Sequence, residues 1–266
     1  MTVIALLGVG KLGEALLSGL LRSGQPADRL LGAERHPGRA AEIAERYGVA
    51  TPSPEQAAAQ ADVLVLAVKP QDMRALLQEV AGEVRPGTLV VSVAAGIPTS
   101  VIERELPEGT AVVRVMTNTP VFVDEAMSAV SPGSCASAEQ LAFVEDLLRA
   151  VGKVVRVPES QQDAVTALSG SGPAYFFFLV EAMVDAGILL GLPRAVAAEL
   201  IVQTAVGAAV MLRDSGELPV QLREAVMSPA GTTISAIRVM EDHGVRAAML
   251  AALEAARDRS RELAGG

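Results

Sequence analysis

Up to about residue 157 the chain alternates short β-branched apolar runs with stretches of helical spacing. Val3–Leu7, Arg29–Ala33, Val63–Val68, Thr88–Val93 and Val112–Met116 predict strands. The run Val63–Val68 is apolar at every position, as a strand covered on both faces requires. Leu12–Ser23, Gly38–Tyr47, Met73–Val84 and Ser100–Glu105 predict the helices between them. This βαβα order predicts an α/β fold with a Rossmann-type, doubly wound parallel sheet. A further pair of runs, Met127–Ser131 and Val154–Val157, flanks a helical stretch at Ala138–Ala150 and extends the sheet.

From Ser160 onward the strand pattern stops. Gln161–Leu190, Arg194–Asp214, Val220–Met227, Thr232–Asp242 and Val245–Leu263 predict helices, with Pro193 at a helix-start position. The chain therefore divides into an α/β part, 1–157, and an all-helical part, 158–266. The stretch Ala195–Leu212 carries Ala, Val, Leu and Gly nearly all round the helix, the signature of burial on several sides. A helical part of roughly 100 residues has little room to bury it. It reads as a bundle completed by a second copy of the chain, with a core helix inside one chain as the alternative. The apolar run Ala174–Leu192 contains Glu181 and Asp185, which favours a buried helix over a membrane span.

Composition narrows the function classes. Half of the 266 residues are hydrophobic and the net charge is −9, with no basic stripe. Neither a nucleic-acid partner nor a membrane partner is expected, since both want clustered positive charge. Cys135 is the single cysteine, so no internal disulfide forms and a cytoplasmic, reducing location is expected. The opening segment Thr2–Leu7 lacks the charged start and long apolar stretch of a signal peptide. His36 and His243 lie far apart, and no metal site is expected.

The chemistry starts at Gly8-Val9-Gly10-Lys11-Leu12-Gly13, a G-x-G-x-x-G between the first strand and the first helix. That is the context a dinucleotide fingerprint needs. Gly8 suits a tight turn, Gly10 lets a pyrophosphate approach, and Gly13 permits close packing of helix and strand. Residues 1–157 are thus read as a dinucleotide-binding domain. Glu34, past the second strand, suits the ribose 2′-OH of NAD. Arg35 and His36 follow it, and a guanidinium there suits the 2′-phosphate of NADP. The reading favours NADP(H) and keeps NAD(H) as the alternative. Ala67-Val68-Lys69-Pro70 ends the third strand, where open α/β sheets bind ligands.

Four segments join it: Val91–Gly96, Arg114–Pro120, Leu168–Tyr175 and Ser228–Thr233. In order and spacing, this set along essentially the whole chain resembles pyrroline-5-carboxylate reductases. The resemblance implies reduction of the cyclic imine 1-pyrroline-5-carboxylate to L-proline by NAD(P)H. It implies a homodimer built through residues 158–266, often assembled into a decamer, with substrate where the cofactor domain meets helices of the partner. By position it implies that Lys69, Pro70, Ala95 and Asn118 border the ribose and nicotinamide. Gly231, Thr232 and Thr233 would hold the substrate carboxylate, with Thr233 the proton donor to the ring nitrogen and Glu159 an acid near the ring. Three positions depart from the family's pattern: Thr117 where Pro is frequent, Ala230 where Gly is frequent, and Pro54 where an Asn contacts the adenosine.

The turn before Thr232 is also what a helix start needs, with Thr232 as a simple N-cap. Two other functions stay open at this level. One is another imine, 2-keto or hydroxy acid reductase on the same plan; of these, β-hydroxyacid dehydrogenases usually place a catalytic lysine in the helical domain, yet Lys153 is the last lysine here. A dinucleotide-binding protein without turnover would keep the fingerprint alone.

Overall fold

The computed structural model describes residues 2–265, with side chains through residue 262. Seven strands form one sheet in the order β2-β1-β3-β4-β5-β6-β7. They are β1 Ile4–Leu7, β2 Leu30–Ala33, β3 Val63–Leu66, β4 Leu89–Ser92, β5 Ala111–Met116, β6 Ala126–Pro132 and β7 Gly152–Arg156. Strands β1 to β5 are parallel, β6 runs antiparallel to β5, and β7 is parallel to β6. The order reverses at β1, with β2 on one side and β3 on the other, which opens a crevice beyond the strand ends.

Among the described residues, twelve α-helices accompany the sheet. They are α1 Lys11–Arg22, α2 Pro37–Tyr47, α3 Pro54–Gln60, α4 Met73–Val80, α5 Thr99–Glu105, α6 Ala138–Arg149, α7 Gln162–Val165, α8 Gly172–Leu189, α9 Arg194–Asp214, α10 Pro219–Ala225, α11 Thr232–Asp242 and α12 Val245–Gly265. Side chains alternate across the strands and build a core on each face. Ile4, Leu6, Val63 and Val65 pack with Leu16 and Leu17 of α1 and Val144 of α6. Ala5, Leu7, Leu64 and Leu66 pack with Ala57 of α3, Leu77 of α4 and Ile102 of α5.

Two helical expectations change. The stretch from Met73 leaves α-helix at Val80 and ends in a 3-10 turn, Ala81–Glu83. The long helix expected over Gln161–Leu190 is divided: α7 runs into a π-turn, Thr166–Gly170, before α8 begins. The glycines at 170 and 172 and Pro173 account for the interruption. Helix α3 is absent from the sequence expectations, although Ser53 and Gln56 form a reciprocal capping box at its start.

The chain separates into two compact units, Met1–Ser171 with Ala256–Gly266, and Gly172–Ala255. In the first unit the end of α12 is tied down by a hydrogen bond from the Ser260 hydroxyl to Asp163, 2.7 Å long. In the second unit α8 and α9 pack side by side, and a Cβ on Gly187 would come within 2.8 Å of the Ala197 Cβ.

Neither helix finds a core within one chain. Helix α8 buries only Gly172 and Val184, and α9 only Ala197. Phe176, Phe177 and Phe178 are each about 70% exposed, and Leu200, Val202, Val206 and Met211 each more than half. Within one chain, Ala174–Leu192 is therefore not buried, and the single-chain core helix is removed as a reading of Ala195–Leu212. A pair of helices covers only one stripe of each partner, and these sequences are apolar on the rest of their surface too. Glu159–Leu189 and Arg194–Asp214 are long and apolar enough to cross a membrane, by length and composition.

Candidate active site

A cavity of about 420 Å³ opens beyond the carboxyl ends of β1, β2 and β3. Gly8, Gly10, Glu34, Arg35, His36, Pro54, Ala67, Val68 and Lys69 line it, with Asp72 and Leu76 from the α4 side. The fingerprint glycines do three separate jobs here. Gly8 sits at φ +91°, and a Cβ there would meet Val68 at 2.8 Å and the Ala67 carbonyl at 3.0 Å. Gly13 packs its Cα against the Gly8 carbonyl, which any Cβ would overlap. Gly10 has nothing within 4 Å of where a Cβ would stand, so its open face belongs to the cavity. Helix α1 starts at Lys11 without a side-chain cap, and its first N–H groups are available to an anion.

The side chains at the other fingerprint positions differ in their surroundings. Val9 is fully buried in the core, and its carbonyl accepts a 3.3 Å hydrogen bond from Arg39. Leu12 packs against the same core, and Lys11 is exposed. Glu14 pins the start of α1 to α2, accepting from Arg39, from Arg46 at 2.8 Å and from the Tyr47 hydroxyl at 2.8 Å. Burial pushes the Glu14 carboxyl upward, yet these three donors hold it below the usual carboxylate range. On the opposite wall, Glu34 accepts from the His36 backbone at 3.2 Å, and Arg35 pairs with Glu79 of α4 at 2.7 Å.

Pro70 and Ala95 line a second cavity of the same unit, about 640 Å³, with Gly96, Ile97, Thr166, Ser171, Arg259 and Ser260. Lys69 and Pro70 are consecutive, so the chain passes from one cavity to the next at that point. Asn118 anchors the π-turn beside it. Its Nδ2 donates to the Ser169 carbonyl (3.2 Å) and hydroxyl (3.3 Å), and its Oδ1 accepts from the Met127 backbone at 3.0 Å. A Cβ on Gly170 would overlap the Met116 methyl, so the π-turn lies close against β5. Glu159 accepts from the Thr99 backbone at 2.7 Å and its hydroxyl at 2.8 Å, and from the buried Arg114 at 3.3 Å. It therefore fixes the start of α5 just after the Ala95-Gly96-Ile97 loop.

In the second unit, Ser228-Pro229-Ala230-Gly231 is a tight turn closed by the Gly231 N–H on the Ser228 carbonyl at 3.0 Å. Ala230 adopts φ +58°, a conformation that suits glycine and costs other residues about 1–2 kcal/mol. Gly231, not Thr232, is the N-cap of α11, and no side chain caps this helix. The N-cap reading of Thr232 is thereby corrected: the helix begins at Thr232, with Thr232 exposed and Thr233 half-buried in its first turn. Two hydroxyls and the first N–H groups of α11 stand together, a composition suited to a carboxylate. Among the described residues no group of three or more His, Cys, Asp or Glu is placed to hold a metal ion.

Comparison with known proteins shows what combines these two halves. Residues 159–263 match the family described as pyrroline-5-carboxylate reductase dimerisation, and residues 3–96 match that described as NADP oxidoreductase, coenzyme F420-dependent. A pyrroline-5-carboxylate reductase of Corynebacterium melassecola is 46% identical over 267 residues, covering 99% of each chain. The chain belongs to the pyrroline-5-carboxylate reductase family. The solved structure of the Coxiella burnetii reductase superposes with a TM-score of 0.93 at 36% identity, covering 98% of both chains. The Plasmodium falciparum reductase with NADP bound reaches 0.89 at 25% identity over 99% of this chain and 98% of that one.

Family membership makes the chain an NAD(P)-dependent oxidoreductase with a dimerisation region of this family's type, and that region includes the exposed faces of α8 and α9. It also gives context to the departures. Thr117 is buried and accepts a 2.9 Å hydrogen bond from the Ser128 hydroxyl, a contact a proline could not make. Pro54 begins α3 and lines the cavity beyond β1 to β3 with an apolar surface. Asp72 and Leu76, also in that wall, were not expected from sequence; they lie on the 3-10 turn Pro70–Asp72 and on α4, past the end of the Ala67–Pro70 segment.

Proposed function

We propose that this reductase-family chain converts 1-pyrroline-5-carboxylate to L-proline, the last step of proline biosynthesis. The observation that carries the proposal is the full-length similarity to pyrroline-5-carboxylate reductases combined with a fingerprint-lined cavity at the β1/β3 reversal. The residues fit the cofactor: Gly10 leaves open space, α1 offers uncapped N–H groups, and Arg35 stands in the wall. A reduced nicotinamide dinucleotide supplies the hydride when bound. NADPH is the preferred form and NADH the alternative, supported by Arg35 and by the NADP-bound relative from Plasmodium falciparum.

In this reading residues 1–157 hold the dinucleotide and 158–266 hold substrate and partner. Gly8, Gly10, Ala67, Val68 and Lys69 border the phosphates and ribose, and Arg35 and His36 face the 2′-phosphate. Pro70 and Ala95 lie toward the nicotinamide. Asn118 and Glu159 position that end, one through the π-turn and the other through Thr99. Gly231 and Thr232 grip the substrate carboxylate, and Thr233 donates to the ring nitrogen as it becomes an amine. Wild-type protein with NADPH and the cyclic imine is expected to yield proline, measured by chromatography beside cofactor oxidation at 340 nm. NADH is expected to serve with lower kcat/KM. No proline above the enzyme-free control, from folded protein with saturating cofactor, refutes the assignment.

The working form is a homodimer, with a decamer as a further assembly of dimers, and its place of action is the cytoplasm, where a free exposed Cys135 stays reduced. The exposed apolar faces of α8 and α9 need a partner, since leaving them in water forfeits about 25 cal/mol for every Å² of apolar surface. Sedimentation at assay concentration is expected to give no monomer. A folded, active monomer would rule out the dimer as obligatory.

A further inference from the structure

Arg35 reaches from the cavity wall to an acid outside it. Its Nη2 lies 2.7 Å from an Oε of Glu79, a residue of α4 that is not itself part of the cavity lining. Glu79 stands in the last turn of α4, where the helix dipole disfavours a carboxylate, so local structure gives no reason for it. The acids around this arginine are Glu34, its chain neighbour, Glu55 at the start of α3, and Glu79. Among the described residues, only Glu79 makes a direct ion pair with it. A guanidinium paired with a carboxylate presents almost no net charge to a third group. A 2′-phosphate entering beside Arg35 must share or displace Glu79, whereas a dinucleotide with a free 2′-OH asks nothing of the pair.

We propose that Glu79 is a specificity-determining residue that competes with the 2′-phosphate for Arg35 and so narrows the preference between NADPH and NADH. The inference rests on the proposal that Arg35 faces the 2′-phosphate. The competing effect is that Glu79 holds the Arg35 side chain in a useful rotamer. Arg35 is about half exposed and Glu79 about a quarter, and a pair that solvent still reaches from the arginine side holds its side chains weakly, so the charge effect outweighs the positioning effect.

Equilibrium binding of NADPH and of NADH, read by the fluorescence of the reduced nicotinamide at 0.15 M salt, tests this. The chain has no tryptophan to interfere. Glu79→Gln is expected to tighten NADPH about three- to fivefold and to change NADH by less than twofold. In an Arg35→Ala background the same substitution is expected to gain less than twofold, because without the guanidinium, carboxylate and phosphate no longer compete for one contact. Unchanged or weaker NADPH binding in Glu79→Gln overturns the inference, and so does an equal gain in both backgrounds. Arg35→Ala alone separates the two levels. A loss confined to NADPH sustains the assignment of Arg35 whatever Glu79 does, and an equal loss for both cofactors removes that assignment and the inference with it.

Discussion

Gly13→Ala is expected to weaken NADPH and NADH alike by about a hundredfold and to lower the thermal midpoint. A Cβ at this position would overlap the Gly8 carbonyl, which is backbone and has no rotamer to change. Either α1 or the turn before it must move. Overpacking of this sort typically costs about 1–3 kcal/mol. A displacement of about 1 Å in a binding cradle is enough for a hundredfold loss. Gly10→Ala is the informative companion. Its methyl meets no protein atom within 4 Å, so the fold is expected to keep its thermal midpoint. The methyl instead occupies space in the cavity that both cofactors need, and binding falls without loss of stability. If Gly10→Ala binds both dinucleotides as well as the wild type does, the pyrophosphate does not pass over Gly10. If Gly13→Ala keeps full affinity, the turn is not the cradle.

Thr233→Ala is expected to slow turnover roughly tenfold or more and to leave cofactor affinity unchanged. The helix in whose first turn it stands is capped by Gly231 rather than by a hydroxyl, so removing the Thr233 hydroxyl costs no cap. The effect therefore isolates chemistry from folding. A donor to the ring nitrogen matters most as the amine forms, and loss of a contact made mainly in the transition state lowers kcat more than it raises KM. General acid catalysis typically contributes 10²–10⁴-fold, and a hydroxyl that water can replace belongs near or below the lower end. Thr233→Ser should keep much of the activity because the hydroxyl survives. A rise in KM alone would make Thr233 a carboxylate anchor. No change in either constant would remove it from the site.

The two halves of the chain differed in how far they could be read. In the α/β half, β3 was legible from an unbroken apolar run, and the cofactor end from glycines whose spacing only a strand-turn-helix explains. Helix α3 escaped because seven residues are too few for a helical period, though its Ser53–Gln56 capping box was in plain view. The π-turn was visible only as a weak point, from Gly170, Gly172 and Pro173. Nothing local told that Asn118 would take the Ser169 carbonyl across 51 residues. Glu159 matched a family acid near the ring, but its bonds to Thr99 and Arg114 span 60 and 45 residues and emerge only when β5 and α5 are in place.

Local order, by contrast, is written along the chain. Apolar period and turn residues determined that β1 to β5 alternate with helices, that a glycine-rich turn opens α1, and that α9 is apolar on nearly every side. These properties depend on neighbours a few residues apart, so the sequence carries them directly. Tertiary structure decided what depends on distant residues meeting: which strand lies beside which, that Glu79 reaches Arg35 across 44 positions, and that Gly231 rather than Thr232 caps α11. It also decided that α8 and α9 stay exposed within one chain, because burial depends on how much surface the surrounding elements cover, and hydrophobic pattern alone says nothing of that supply.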